Sequence, residues 1–549
     1  MSNTTLNGVG VSSGRASGPV VRVADPLPEP AGAPAPADVP VEAARIAPAA
    51  DAVARRLEQA AAAATGDARA VLETTAMMAA DPSLVSRAAQ LVTERGLPAP
   101  RAVFEAANSF AQTLAEAGGY LAERVRDIQD VAQRLVAELT GVAPPGVPTL
   151  TGPSILVARD LSPADTAGLD PATVLALVTE EGGPTSHTAI LARALRIPAV
   201  VACRGILDQQ FDGLVVDGDT GEVEIVTGAV EVRAAVAGGP SQWDGVGTTA
   251  DGYRVKVLAN VGGPDDAKAA AAAGAEGIGL FRTEFCYLSA TDEPAEAAQR
   301  RAYAAVLGPF AGKPVVVRTL DAGADKPLAF LDQAPEPNPA LGVRGLRVAR
   351  DRVGLLDRQL AAIAGAAEDS RADVSVMAPM VATAEEAAWF VERARAAGMR
   401  RAGVMIEVPA AALTAREVFD ATDFVSLGTN DLAQYVFAAD RQVGAVAALN
   451  DPWQPALLRL VALVGEAAVA TGKPAGVCGE AAADPMLACV LVGLGMSSLS
   501  MNAPAITSVG ALLATVSFDA CQTAARMATA ASTATAARIS AKAALGQDW

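Results

Sequence analysis

Eight short apolar runs, each followed by an alanine-rich stretch with helical spacing, recur between residues 253 and 549: VKVLANV, GIGLFRTEF, PVVVRTLD, SVMAPMV, GVMIEVP, FVSLGTND, PAGVCGE and SLSMNA. Strands that alternate with helices run parallel, because each helix is the crossover that returns the chain to the same end of the sheet. Eight such units in about 300 residues have the size of a closed (β/α)8 barrel of the TIM type. Nearly every run finishes in residues able to do chemistry. In order these are Asn260, Arg282-Thr283-Glu284, Arg318 with Asp321, Met380, Glu407, Asn430-Asp431, Cys478 with Glu480, and Met501-Asn502. A barrel gathers the carboxyl ends of its strands on one face, where active sites of such folds lie. One charge there is an ordinary ion pair, whereas a succession of them points to a site.

The residues at these ends sort into two groups. Glu407 and Asp431 are hard oxygen donors at adjacent strand ends, and Mg2+ typically takes one or two carboxylates together with substrate phosphate and water. Arg282, Arg318, Arg344 (in NPALGVRGLR) and Arg441 (in AADRQVG), with Lys326 (in DAGADKP), form the cationic group. Arginines that converge on one pocket repel unless the ligand carries several negative charges, and a small phosphorylated carboxylate on magnesium does. Cys478, in GVCGE, reads either as a small core residue or as a proton donor over the site. A thiol near its reference pKa of about 8.5 is mostly protonated at neutral pH.

Nothing among the barrel ends is an evident acceptor for phosphate. The one histidine of the 549 residues, His187 in GGPTSHTAILARAL, is the candidate. Gly182-Gly183-Pro184 breaks the chain, Thr185 and Ser186 are N-cap types, and TAILARAL has an apolar helical face. A residue in the first turn sits where unpaired N–H groups and the helix dipole favour a negative charge. Unprotonated imidazole is a competent nucleophile at neutral pH. The residue chemistry therefore points to phosphoryl transfer from a small anionic donor to His187.

Ahead of the barrel, residues 1–24 and 146–226 carry short β-branched runs between glycines and read as one α/β domain around His187. Residues 25–145 begin in the Pro/Ala stretch PLPEPAGAPAPADVP and continue as helices with apolar residues at three- and four-residue spacing, a helical bundle inserted into that domain. Residues 227–252, with AGGPSQWDGVGTTADG, read as a linker, and 253–549 as the barrel. The fold class is thus multidomain α/β. A formal charge of −18 and a sequence pI near 4.7 argue against nucleic-acid or anionic-membrane binding and suit a basic protein partner. No apolar run is long enough to span a bilayer, and MSNTTLNGVG lacks the basic and apolar regions of a secretory signal. Cys203, Cys286, Cys478, Cys489 and Cys521 are scattered and odd in number, which suits a reduced, cytoplasmic chain without a disulfide framework or zinc site.

These motifs resemble Enzyme I of the phosphoenolpyruvate-dependent sugar phosphotransferase system, over essentially the whole chain and in the same order. GGPTSHTAILARALRIPAVV is similar to its phosphohistidine motif. GAEGIGLFRTEF, VVVRTLDAGADK, NPALGVRGLR, GVMIEVPAA, SLGTNDLAQY and GVCGEAA are similar to its barrel motifs. YLAERVRDIQDVAQRL resembles the last helix of its inserted subdomain, which docks the small carrier HPr. The resemblance implies that His187 is phosphorylated, that Thr166 in DLSPADTAGL orients its ring, and that Glu407 and Asp431 hold Mg2+. It implies that Arg282, Arg318, Lys326, Arg344, Arg441 and the amide of Asn430 bind phosphoenolpyruvate, and that Cys478 protonates the enolate to give pyruvate. It further implies transfer from His187 to a histidine of HPr, a swivel in the 227–252 linker, and a homodimer made by the barrel. Three departures stand out: Pro184 replaces a usual arginine, Ala324 a usual glycine, and DRQVG diverges after Arg441. Pyruvate phosphate dikinase and phosphoenolpyruvate synthase share the histidine and barrel domains, but they need an ATP-binding domain that the residues before His187 do not supply. A signalling or scaffold paralogue without turnover is the remaining alternative.

Overall fold

The computed structural model describes residues 4–546 apart from 13, 64–65, 118–124, 144–145, 149, 151, 162–164, 166–168, 171, 184–186, 196, 219, 229, 234–242, 288–289, 325–326, 332, 441–445 and 447–448. The chain divides into two compact units, Met1–Ala237 and Gly238–Trp549.

The first unit holds strands β1 (Thr5–Asn7), β2 (Val9–Ser12), β3 (Arg15–Arg22), β4 (Ser154–Ala158), β5 (Val174–Thr179), β6 (Ala199–Val201), β7 (Gly213–Asp217) and β8 (Glu222–Val226). Their order in the sheet is β1-β8-β7-β3-β4-β5-β6-β2. β4 and β5 are buried at every position, as their unbroken apolar sequences SILVA and VLALVT require of central parallel strands. β3 changes partner midway: Arg15–Pro19 pair antiparallel with β7, and Val20–Arg22 pair parallel with β4. Gly18 lies at this change, where a Cβ would stand 2.4 Å from Leu175 Cδ1.

Between β3 and β4 the chain forms helices Val39–Ala44, Ile46–Ala63, Gly66–Ala79, Pro82–Arg95, Ala99–Ala117 and Val125–Thr140. They bury a core of their own around Val53, Leu57, Leu91, Val92, Val131 and Leu135. Their ends follow local chemistry. Asp38 and Asp81 accept from Val41 N and Ser83 N ahead of helices with proline in the first turn, and Gly96 ends Pro82–Arg95 at φ +64°. Arg134, paired within its own helix to Asp130 (2.7 Å), ties the last of these helices to the α/β part by an ion pair to Asp165 (2.9 Å). Further along, Arg233 bridges back to Ser17 of β3.

The second unit is a closed barrel of eight parallel strands: β9 (Lys256–Val261), β10 (Ile278–Arg282), β11 (Pro314–Arg318), β12 (Asp373–Ala378), β13 (Ala402–Ile406), β14 (Val425–Leu427), β15 (Ala475–Val477) and β16 (Ser498–Met501). β16 closes on β9 with Ser498 opposite Lys256. These strands are the eight apolar runs of the sequence. Leu280, Met377, Met405 and Cys478 fill the barrel as one cluster, and a Cβ on Gly279 would meet the Ser500 side chain at 2.6 Å. Helices Phe518–Ala530 and Ala534–Leu545 pack against the outer helices through alanines and Cys521. Residues 243–252 belong to this unit, with Tyr253 stacked on Phe518 at 3.8 Å and Asp251 accepting from Phe518 N. No single described helix is long and apolar enough to cross a membrane.

Candidate active site

Barrel strands deliver their side chains to one rim because each strand ends, and its helix begins, on the same face. Arg282 and Arg318 are the last residues of β10 and β11, and they stand opposite each other in the ladder. Glu407 follows β13 directly and Cys478 follows β15. Asn430 and Asp431 lie in the first turn of helix Thr429–Phe437 after β14.

The buried charges form one network. Arg344 is 1% exposed and donates to both oxygens of Asp321 (2.9 and 3.0 Å) and to both oxygens of Asp431 (3.2 Å each). Gly345, at φ +60°, turns the chain after it into helix Leu346–Asp351. Arg318 donates to Glu284 Oε1 at 2.8 Å and pairs with Asp321 at 3.3 Å. Burial alone would lower the pKa of Arg318, but Glu284 and Asp321 more than offset it and keep the guanidinium charged. Arg318 Nε and Glu284 Oε2 are nevertheless buried without a hydrogen-bond partner among the described residues. Arg282 is exposed, and no ion pair or hydrogen bond engages its side chain among the described residues.

Glu407 is 1% exposed, and its Oε1 accepts from Met380 N at 2.6 Å. Met380 is held at φ +59°, a left-handed conformation costly for a residue with a side chain, so its amide is aimed at this carboxylate under strain. Burial first, then the neighbouring Asp431 and Asp321, push the Glu407 carboxyl well above the ordinary carboxylate range. Among the described residues, four buried or half-buried acids (Glu284, Asp321, Glu407, Asp431) thus crowd around two buried guanidiniums, and a divalent cation would relieve the repulsion that holds the Glu407 carboxyl toward its neutral form. No cluster of three or more potential metal-ligating side chains occurs among the described residues. A two-carboxylate donor set nonetheless fits Mg2+, which completes its octahedron with substrate phosphate and water. Burial raises the Cys478 thiol to about 11, and its Sγ lies 3.4 Å from Leu427 O. Asn430 Oδ1 accepts from Glu480 N at 3.0 Å.

In the first unit His187 opens helix His187–Leu195 after β5, with its own side chain outside the described set. The next residue, Thr188, is buried and donates to Asp160 Oδ1 at 3.4 Å. Thr166, Lys326 and Arg441 also lie outside the described residues.

The structure therefore brings Arg282, Arg318, Arg344, Glu407, Asn430, Asp431 and Cys478 to one rim. It gives Arg344 two carboxylate partners where the sequence suggested a substrate ligand. Asp321 and Glu284 were visible at strand ends but carried no assigned role. The signal for them was the arginine surplus itself, since buried guanidiniums require buried acids. Met380 was also visible at a strand end without an assigned role, and what the site uses is its backbone amide, which a side-chain reading does not reveal.

The family model for the PEP-binding domain of PEP-utilising enzymes matches residues 241–518, that for their mobile domain 150–221, and that for their N-terminal domain 7–124. A phosphoenolpyruvate-protein phosphotransferase of Streptomyces coelicolor is 52% identical over 556 residues, covering 99% of both chains. Proteins of the same name from Streptococcus equinus and Enterococcus faecalis are each 39% identical, covering 81% and 82% of this chain and 82% and 83% of theirs.

Proposed function

This chain belongs to the phosphoenolpyruvate-protein phosphotransferase family of PEP-utilising enzymes, and on that footing we propose that it carries the phosphoryl group on His187 and hands it to a histidine of the carrier HPr. A nitrogen of the His187 imidazole attacks phosphorus in line, the P–N bond forms as the P–O bond to the enol oxygen breaks, and enolpyruvate leaves. Thr166 orients the ring. The enolate takes a proton at its methylene carbon from the Cys478 thiol, which burial keeps protonated at neutral pH, and pyruvate results. Arg282, Arg318, Lys326, Arg441 and the amide of Asn430 hold the phosphate and carboxylate. With Asn430 Oδ1 already accepting from Glu480 N, its NH2 is the group that faces the ligand. Arg344 holds Asp431 and Asp321 in register beneath them. Glu407 and Asp431 would hold Mg2+, which when bound supplies positive charge beside the transferring phosphoryl oxygens. The helical insertion 25–145 docks the carrier, the barrel pairs two chains into a cytoplasmic homodimer, and within the 227–252 linker the swivel of the histidine domain falls to the stretch between Arg233, which pairs with Ser17 of β3, and Trp243, which belongs to the barrel unit.

The observation that carries the reading is the pair of rim arginines with donors to spare: exposed Arg282 and Arg318 with its unpartnered buried Nε. A buried guanidinium N–H without an acceptor is costly unless a ligand supplies one. The test is phosphoenolpyruvate labelled at phosphorus, mixed with the protein with and without Mg2+. The expected result is an acid-labile, alkali-stable label that requires Mg2+, is absent in His187→Ala, and moves to added HPr. Label that persists in His187→Ala refutes the acceptor, and label that stays on the chain when HPr is added refutes the carrier.

A further inference from the structure

The ladder between β10 and β11 ends at the Arg282–Arg318 pair, and beyond it the two segments leave the sheet carrying Glu284 and Asp321. Thr319 keeps one backbone bond to the sheet, its N to Met377 O of β12 at 3.0 Å, and beyond it hydrogen bonds from outside the sheet help to fix how these segments lie. Gln359, in the middle of helix Val353–Ser370 and 1% exposed, reaches both. Its Oε1 accepts from Leu320 N at 3.0 Å, and its Nε2 donates to Thr283 Oγ1 at 3.0 Å and to Tyr303 OH at 3.1 Å. Thr283 Oγ1 in turn donates to Arg318 O at 2.9 Å. One carboxamide thus grips the residue after Arg282 and the residue before Asp321.

The orientation of that amide is determined by its partners. Leu320 N can only donate, and the Thr283 hydroxyl spends its proton on Arg318 O, so Gln359 must turn oxygen to the one and nitrogen to the other. Behind it, Tyr303 OH and Tyr287 OH both donate to Gln299 Oε1 (3.2 and 2.8 Å), and Gln299 Nε2 donates to Pro294 O (2.8 Å). Every side chain in this chain of bonds is nearly or fully buried: Thr283, Tyr287, Tyr303, Gln299 and Gln359. A buried network whose hydroxyls and amides bond to one another in this way holds its members in one arrangement. Glu284 Oε1 adds the last tie by accepting from both Arg318 NH2 and Asp321 N.

We propose that Gln359 is a positioning residue for phosphoenolpyruvate: acting through Thr283 and Leu320, it sets the angle at which Arg282 and Arg318 meet the substrate. It touches no reacting atom. The proposal rests on the reading of those two arginines as substrate ligands.

The test compares the initial rate of labelling from phosphoenolpyruvate in Gln359→Met, Thr283→Val, the double variant and Thr283→Ser. A misplacement of a charge clamp by an ångström costs up to about a hundredfold, so Gln359→Met should lower kcat/KM by about tenfold or more. Part of this loss should survive saturating substrate, because a misaimed Arg318 fails the transition state as well as the ground state. Thr283→Val should be slow and Thr283→Ser within about threefold of the parent, since serine keeps the bridging hydroxyl. The double variant should be no more than about twofold slower than Gln359→Met, because both remove one link. A merely structural glutamine would lower melting temperature without this serine rescue or this non-additivity. If Gln359→Met fails to fold, the valine–serine pair decides alone. Equal rates for Thr283→Val and Thr283→Ser, or a double variant whose loss is the product of the two, overturn the proposal. Arg318→Ala separates the premise. If it is slow while Gln359→Met labels like the parent, the positioning role alone falls. If it labels like the parent, the ligand reading falls and takes the proposal with it.

Discussion

Asp321→Asn isolates the buried charge network with a change of one atom. The carboxylate is fully buried and accepts from Arg344 Nε at 2.9 Å and NH2 at 3.0 Å, with Arg318 NH1 at 3.3 Å. Asparagine keeps the shape but replaces one oxygen by an NH2, which then faces a guanidinium N–H, donor against donor. Removing one partner of a buried ion pair costs about 3–5 kcal/mol. Arg344 retains Asp431 and Arg318 retains Glu284. The loss should therefore fall near the low end, about 3 kcal/mol. Trp243, Trp389 and Trp453 belong to the second unit and no tryptophan precedes Trp243 in the chain, so tryptophan fluorescence during urea unfolding reports on the barrel and not on the first unit. The control is Asp369→Asn. Its carboxylate makes even shorter bidentate bonds to Arg300 (2.7 Å each), but both partners are nearly half exposed. An exposed pair gains little over water, and the transition should stay where it is. A shift for Asp321→Asn below about 1 kcal/mol, or one matched by Asp369→Asn, would refute the argument that burial makes this network costly to break.

Two further outcomes follow from the rim. The Cys478 thiol is 2% exposed and raised from 9.0 to about 11 by burial, so iodoacetamide at pH about 8 should spare it in native protein and modify it in urea. The sign of its linkage is fixed. The unfolded thiol ionises near 9.0 and the folded one near 11, so its contribution to stability is whole below pH 9.0 and is lost as pH climbs to 11. Fluorescence melts of parent and Cys478→Ala should therefore converge at alkaline pH, and a gap that widens there contradicts the assignment. At Met380, φ +59° penalises a branched Cβ. Met380→Ile should destabilise the barrel by about 1–2 kcal/mol more than Met380→Leu, a residue of the same size without the branch. Equal stabilities would mean that the left-handed backbone is not retained.

The barrel was legible because its signal is local. Each strand is an apolar run of a few residues, bounded by glycine or by the polar residue where the chain leaves the sheet, and closure follows once eight such units share one hand of crossover. The same locality marked Arg282, Arg318, Glu407, Asp431 and Cys478, each attached to the end of its own run. Arg344 was legible only as a charge in a loop. That it turns inward at Gly345 and divides its guanidinium between Asp321 and Asp431 depends on residues 23 and 87 positions away in the chain. Gln359 was silent, since one glutamine in the alanine-rich helix GLLDRQLAAIAGAA gives no sign that its amide joins two strands.

What the amino-acid sequence determined alone was the order of elements, the closed parallel barrel, and which residue types stand at its strand ends. Periodicity, glycine punctuation and residue chemistry are properties of neighbours along the chain. The tertiary structure decided which charges meet: the double clamp on Arg344, the strained amide of Met380 on Glu407, and the amide bridge from Gln359 to Thr283 and Leu320. The reason is physical. A charge or amide taken out of water must find its partner inside, and the fold, not the spacing along the chain, sets which partner lies within 3 Å.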